Sequence, residues 1–193
     1  GSAALGANTT ASNNTAVGYQ ALLANTTGTE NTAIGASAGK ALTTGGFNIA
    51  VGFEALSTED ANGNNVAVGY KALKTLNAGA DGFNVAVGDH AGTAVTTGIQ
   101  NTLIGGAAGD ALTDADFNVA VGRGALSADT LGSRSVAIGR SALNAQNFTS
   151  ATDVYNVAVG FAAGQDLTNG ERNVFIGGDA GKQVSTADDC VII

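Results

Sequence analysis

A handful of stretches in the chain carry residue types that do chemistry in other proteins. Gly35-Ala36-Ser37-Ala38-Gly39-Lys40-Ala41 has the glycines and lysine of a phosphate-cradling loop. It is one residue short between its glycines, and Ala41 stands where a Ser or Thr would meet Mg²⁺. The same Gly-x-x-x-Gly spacing returns at Gly88–Gly92, Gly105–Gly109, Gly160–Gly164 and Gly177–Gly181 without the Lys-Ala sequel, so no nucleotide site is expected. His90 is the only histidine, and a metal ion needs several ligands. The acids Asp114, Asp116 and Asp188-Asp189 lack the Gly-Gly-x-Gly-x-Asp frame of calcium rolls. Neither a metal nor a cofactor is therefore expected. The single Cys190 cannot form an intrachain disulfide, and it replaces an otherwise recurrent Asn, as a small buried hydrophobe would. A glycan-cleaving enzyme would need a carboxylate pair in a cleft. No such pair can be pointed to in the sequence, and assay on capsule sugars would decide; the expectation is no catalytic residue and no enzyme.

These residues sit on a repeat, and the repeat dominates the chain. Asn118-Val119-Ala120-Val121-Gly122 is written again at 65–69, 84–88 and 156–160, with close variants at 14–18, 31–35, 48–52, 101–105, 135–139 and 173–177. Successive closing glycines are 17 residues apart, except for steps of 19 and 21. Such self-similarity marks a solenoid, in which each unit touches mainly its neighbours. The alternation of β-branched and small residues before each glycine reads as a short strand. The glycine lets the chain turn a corner. In representative units the structural positions are Asn65, Val68, Gly69 and Ala72, and Asn118, Val121, Gly122 and Ala125. The Ala three after the glycine is never enlarged, so its side chain must touch a neighbouring coil. The next residue is Leu or Gly, and each Gly is followed three later by Leu or Val. Two kinds of unit thus fill one core volume. Stretches such as Tyr70–Lys74 leave room for one helical turn at most.

Composition agrees with this. The 193 residues include 29 Gly and no Pro, Met or Trp, and only 12% are charged. That is too apolar for disorder and too interrupted by Asn, Thr and Gly for a membrane-spanning helix. The net charge of −8 disfavours nucleic acid and anionic membranes as partners. The array reads as one unit over 1–193, ten full repeats with partial ones at both ends, cut from a longer fibrous protein.

The longer units carry their extra residues within 78–82 and 148–154, in the same gap of the repeat. Per-repeat insertions often mark the binding side. Phe148, Thr149, Ser150 and Asp153, with Asp81 from the other insertion, are the receptor-binding candidates; nothing in the repeat is expected to bury Phe148. Eight aromatics fall in two registers: Tyr19, Phe53, Tyr70 and Phe161 after the glycine, and Phe47, Phe83, Phe117 and Tyr155 before the Asn. Stacked coils ~4.8 Å apart would let these rings ladder.

In each strand the Val or Ile at one and three before the glycine point one way, and the Ala between them the other. Both faces are apolar, and a solenoid has one inside. Other copies of the chain are the expected cover for the second face, with the Asn side chains laddered along the seam. Asn/Ser-Val-Ala-Ile/Val-Gly-x-x-Ala is similar to the head repeats of trimeric autotransporter adhesins of YadA type, most closely at Ser135–Ala142. Residues 14–22, Asn-Thr-Ala-Val-Gly-Tyr-Gln-Ala-Leu, resemble the repeats of phage and phage-like tail fibres. The resemblance runs from residue 2 to 193. It implies an all-β fold, a left-handed parallel β-roll with three chains around an axis, used for display and attachment.

The expected function is a non-enzymatic segment of a trimeric attachment fibre on a virion, binding a cell-surface glycan or protein receptor. An adhesin head on the bacterial cell surface or outer membrane is the alternative. A third expectation, of another class, is an ice-binding solenoid, since rows of Thr on a flat stack can order water. The row eight after the glycine (Thr26, Thr43, Thr96, Thr113, Thr130 and Thr168) is broken by Asp60, Asn77 and Asn147.

Overall fold

The computed structural model describes all residues, 1–193. It contains no helix. Eleven strands form one parallel sheet in chain order: β1 (Thr15–Val17), β2 (Thr32–Ile34), β3 (Ile49–Val51), β4 (Val66–Val68), β5 (Val85–Val87), β6 (Thr102–Ile104), β7 (Val119–Val121), β9 (Val136–Ile138), β11 (Val157–Val159), β12 (Val174–Ile176) and β13 (Val191–Ile192). The remaining two, β8 (Gly132–Ser133) and β10 (Thr152–Asp153), pair with each other. Each strand pairs with its own copy one coil on, Ala33 against Ala50 and Ala50 against Ala67. The longer units keep that register, Val66 meeting Val85 and Val136 meeting Val157, because their extra residues bulge out of the turn. The fold is a β-solenoid of stacked ~17-residue turns.

Strands hold little of it together. Of 115 backbone hydrogen bonds, 21 lie wholly within the strands; the other 94 flank strand ends, close turns inside a coil or, most often, run from a turn to the same turn of a neighbouring coil. The corner glycine shows why such contact demands this sequence. Gly122 has φ 134°, and a Cβ there would lie 2.5 Å from the carbonyl oxygen of Gly139 in the next coil.

Of the two apolar faces, the strand Ala points inward: Ala33, Ala67, Ala86 and Ala120 are fully buried, as are Ala72 and Ala125 after the glycine. The β-branched residues face out, Ile34, Ile104 and Ile138 among them. The narrow interior takes a larger side chain by two routes, and a second in a few coils, as where Leu76 joins Leu73 and Leu103 joins Leu112. Leu22, Leu56, Leu73, Leu126 and Leu143 fill it from four residues after the glycine. Where that residue is glycine, Leu42, Val95, Leu112 or Leu167 fills it from three residues further on. A Cβ on Gly39 would lie 3.0 Å from both Leu22 and Leu42. In four of the five Leu-type coils the later position holds a buried polar residue instead: Asn25, Glu59, Asp129 or Gln146.

Three corners of each coil are left-handed, including Lys71, Leu73 and Phe83 (φ 57°, 46° and 48°), so Tyr70–Lys74 makes no helical turn. Each such non-glycine residue costs about 1–2 kcal/mol. Coil-to-coil bonds offset this, as where Lys71 N–H donates to the Phe53 carbonyl at 2.9 Å. None of the left-handed non-glycine residues is Val, Ile or Thr, the types that tolerate φ > 0 least.

The Asn ladder exists, but inside one chain rather than along a seam between copies. From Asn31 to Asn118 its members are buried, and each Oδ1 accepts the backbone N–H of the ladder residue above, as Asn101 accepts from Asn118 and Asn118 from Ser135, both at 2.9 Å. The Nδ2 groups turn to a carbonyl 14 residues on, such as Ala115 for Asn101 (2.8 Å), except that of Asn65, which donates to Gly63 (3.0 Å). The reason is geometric: the Asn side chain shares the inward face with the strand Ala two residues later, and the alternation fixed that parity without saying which face was inner. Ser135 is too short to continue the ladder. Gln146 bridges the gap, its Nε2 donating to Asp129 Oδ2 (2.6 Å) and Ser135 Oγ (3.1 Å) and its Oε1 accepting from Asn156 Nδ2 (2.9 Å). The half-buried Cys190 ends it, its backbone N–H donating to Asn173 Oδ1 at 2.9 Å.

Candidate receptor-binding surface

Both insertions leave the solenoid on one side, and each is pinned by a buried carboxylate of the coil before it. Glu59 Oε2 accepts the N–H of Ala78 (3.1 Å), and Asp129 Oδ1 accepts the N–H of Phe148 (3.0 Å). Glu59 Oε1 takes a turn donor, Asn62 N–H (3.2 Å); Asp129 Oδ1 also accepts Gly132 N–H (3.1 Å), and its Oδ2 accepts from Gln146 Nε2 (2.6 Å).

Phe148 is only 7% exposed, which corrects the expectation that the repeat has nowhere to put it. It occupies the register of Leu131 one coil earlier, and Leu131 N–H donates to its carbonyl at 3.1 Å. With its ring buried, Phe148 anchors the loop and offers little surface to a receptor. Val154, at the loop's other end, is fully buried. Thr149, Ser150 and Asp153 between them are exposed, as is Asp81. Asp81 Oδ1 accepts the N–H of Gly63 at 3.0 Å.

Beside the insertions runs the corner residue that precedes each ladder Asn. After Asn13 and Glu30 its occupants alternate: Phe47, Asn64, Phe83, Gln100, Phe117, Arg134, Tyr155, Arg172. The rings are 57%, 55%, 37% and 52% exposed. All eight residues are left-handed, with φ between 48° and 65°. Backbone bonds to the preceding coil fix their positions, Phe117 to Ile99 (3.1 Å) and Arg134 to Asp116 (3.0 Å) among them. Arg134 places its guanidinium 4.5 Å from the Phe117 ring and 6.0 Å from that of Tyr155, with its Nε 2.9 Å from Asp153 Oδ1. Further along, Arg172 grips Asp189 through two bonds of 2.7 and 3.1 Å and holds that carboxyl below its ordinary range. Rings in this row therefore never stack on one another directly.

No known protein family, curated protein or solved structure matches the chain.

Direct stacking does occur in the other aromatic register. Phe53 and Tyr70 lie 5.5 Å apart and nearly parallel, and His90 meets the Tyr70 edge at 5.1 Å. His90 faces solvent with Asp89 3.1 Å from its Nδ1. The Thr row does not bond its own backbone. Its hydroxyls donate to the neighbouring coil, as Thr43 Oγ1 does to the Asp60 carbonyl (2.9 Å) and Thr113 Oγ1 to the Thr130 carbonyl (3.0 Å). Sequence reasoning placed Asp153 at the surface but missed Arg134 as its partner. The signal was the alternation of ring and planar polar group, visible once the corner register is written out.

One carboxylate is poorly served. Asp110 Oδ1 is buried without a partner, and burial pushes its pKa above the ordinary 3.8, against its own backbone hydrogen bond and the nearby His90. A raised folded-state pKa means the unfolded chain ionises more readily, so stability present below 3.8 is lost as pH rises through the raised value. Asp110→Asn should therefore melt above the wild type at neutral pH. The difference should close below 3.8, as thermal melts at both pH values would show.

Proposed function

We propose that this chain is a non-enzymatic, adhesive segment of a trimeric attachment fibre of the phage tail-fibre type, carried on a virion and presenting three identical surfaces to a cell-surface receptor. The observation that carries it is the outer face of the sheet. Val17, Ile34, Ile49, Ile104, Ile138 and Ile176 stand exposed along the whole stack, a stripe of β-branched side chains that single chains rarely leave in water. Two further copies of the same chain cover such a stripe with matching periodicity. A rigid stack then gains avidity by threefold presentation. The buried carboxylates Glu59 and Asp129 are spent on turn amides, which supports a structural role for them rather than acid–base chemistry. The repeat motif equally supports the head of a bacterial trimeric adhesin, with the same fold and mechanism at a cell surface. The Thr hydroxyls donate to backbone carbonyls, which favours attachment over ice binding.

The absolute mass of the purified chain tests the assembly. A value near three times 18.7 kDa is expected, and one near 18.7 kDa at micromolar concentration would sink the trimer.

A further inference from the structure

The corner row beside the insertions has a period that the fold does not require. Coils repeat every ~4.8 Å, yet the rings recur on every second coil, ~10 Å apart. Between them stand an amide, a second amide and a guanidinium, Asn64, Gln100 and Arg134. Phe47, Phe83 and Tyr155 remain more than half exposed, so one chain gains little burial from them in return for their left-handed backbones. The outer sheet face already supplies a continuous apolar strip for a seam between copies, and this row lies apart from it. Stacking on nucleic acid bases needs a basic groove, and the chain carries a net charge of −8.

An extended β-linked sugar chain fits both periods. Its rise per sugar is close to one coil, and successive sugars face opposite ways, so every second sugar offers the same apolar C–H face. The sugars between turn hydroxyls to the row, where the planar amides donate and accept and the guanidinium donates. A groove of about 330 Å³ opens at Phe47 and is also lined by Asn64, Asp81, Thr27, Thr29 and Thr44: one aromatic wall, an amide, a carboxylate and three hydroxyls. Asp81 spends one oxygen on Gly63 N–H, leaving the other for a sugar hydroxyl.

We propose that the corner row from Phe47 to Tyr155 is a track for a neutral, extended, β-linked glycan lying along the solenoid axis, one sugar per coil, with alternate sugars stacked on Phe47, Phe83, Phe117 and Tyr155. It rests on the attachment function and names the receptor chemistry. The track spans six coil steps, about 29 Å.

Calorimetric titration of the whole chain with cellohexaose and with N-acetylchitohexaose tests it, each against its own disaccharide. One hexaose should bind at least about tenfold more tightly than its disaccharide, which reaches a single ring. Phe83→Ala and Phe117→Ala should each weaken that hexaose about tenfold, the worth of one aromatic contact. Phe53→Ala, off the row, should leave it unchanged. Alanine is accepted at left-handed corners of this chain, as at Ala107 and Ala162, and the melting curve of each variant verifies its fold. Absence of binding to either hexaose overturns the track, as does hexaose binding that survives both row variants. So does a loss of assembly mass in Phe83→Ala or Phe117→Ala, which would make the row a contact between copies. A trimer that binds no hexaose ends the track alone, whereas a monomer that binds one ends the fibre proposal alone.

Discussion

Gly122→Ala is expected to destabilise the chain by about 4 kcal/mol or more, among the largest effects a single methyl can have. Two causes act together. At φ 134° an L-residue is strained, and the new Cβ would sit 2.5 Å from the Gly139 carbonyl oxygen. The carbonyl cannot retreat, because its own coil is bonded to the next, and a shift would pass along the stack. Gly106→Ala is the control. Its Cβ would meet nothing closer than the Asp89 carbonyl oxygen at 3.9 Å, so its effect should stay within about 0.5 kcal/mol. Because coils hold only their neighbours, Gly122→Ala should also split thermal unfolding into two steps as the stack parts at that coil. A single transition at the wild-type temperature would refute the account of the corner.

Asn101→Ala is expected to cost about 3–4 kcal/mol, read from denaturant unfolding. The side chain is fully buried, and its loss strands the Asn118 N–H and the Ala115 carbonyl, each worth about 1–3 kcal/mol when left without a partner. Asn101→Ser should recover little of this, although serine occupies the ladder naturally at Ser135. There the missing amide is supplied by Gln146, and no such residue reaches Asn101. Gln146→Ala should accordingly cost as much as Asn101→Ala. A loss below about 1 kcal/mol for Asn101→Ala would show that water serves the ladder as well as the amide does.

Much of this was legible in the residues. The repeat set the coil, Val/Ile-Gly set strand and corner, and the invariant Ala announced a narrow interior. The Leu and Gly variants were readable as two ways of filling one volume, and Gly39 between Leu22 and Leu42 is that idea in atoms. The position of the Asn ladder was not legible. When both faces of a strand are apolar, alternation fixes which residues share a face but leaves inside and outside open, and only the width of the coil decides for Ala. Phe148 was misjudged because it was read as an insertion residue, whereas its stacking register puts it against Leu131. The left-handed corners left only a negative trace, the absence of Val, Ile and Thr, which has meaning after the register is known. The pairing of Arg134 with Asp153 needed the insertion's path, which no periodicity predicts.

The fastening of each coil to its neighbours, by turns as well as strands, has a consequence under load. A globular domain pulled at its ends resists until a core shears, then fails at once. Here each coil is fastened to its neighbours alone, so tension applied at the termini peels the end coils first, since each has a neighbour on one side only. Each coil released adds roughly 55–60 Å of chain. A tether built this way yields by single coils, holds its remaining length straight, and rewinds when the tension drops, with every coil still beside the neighbour that templates it.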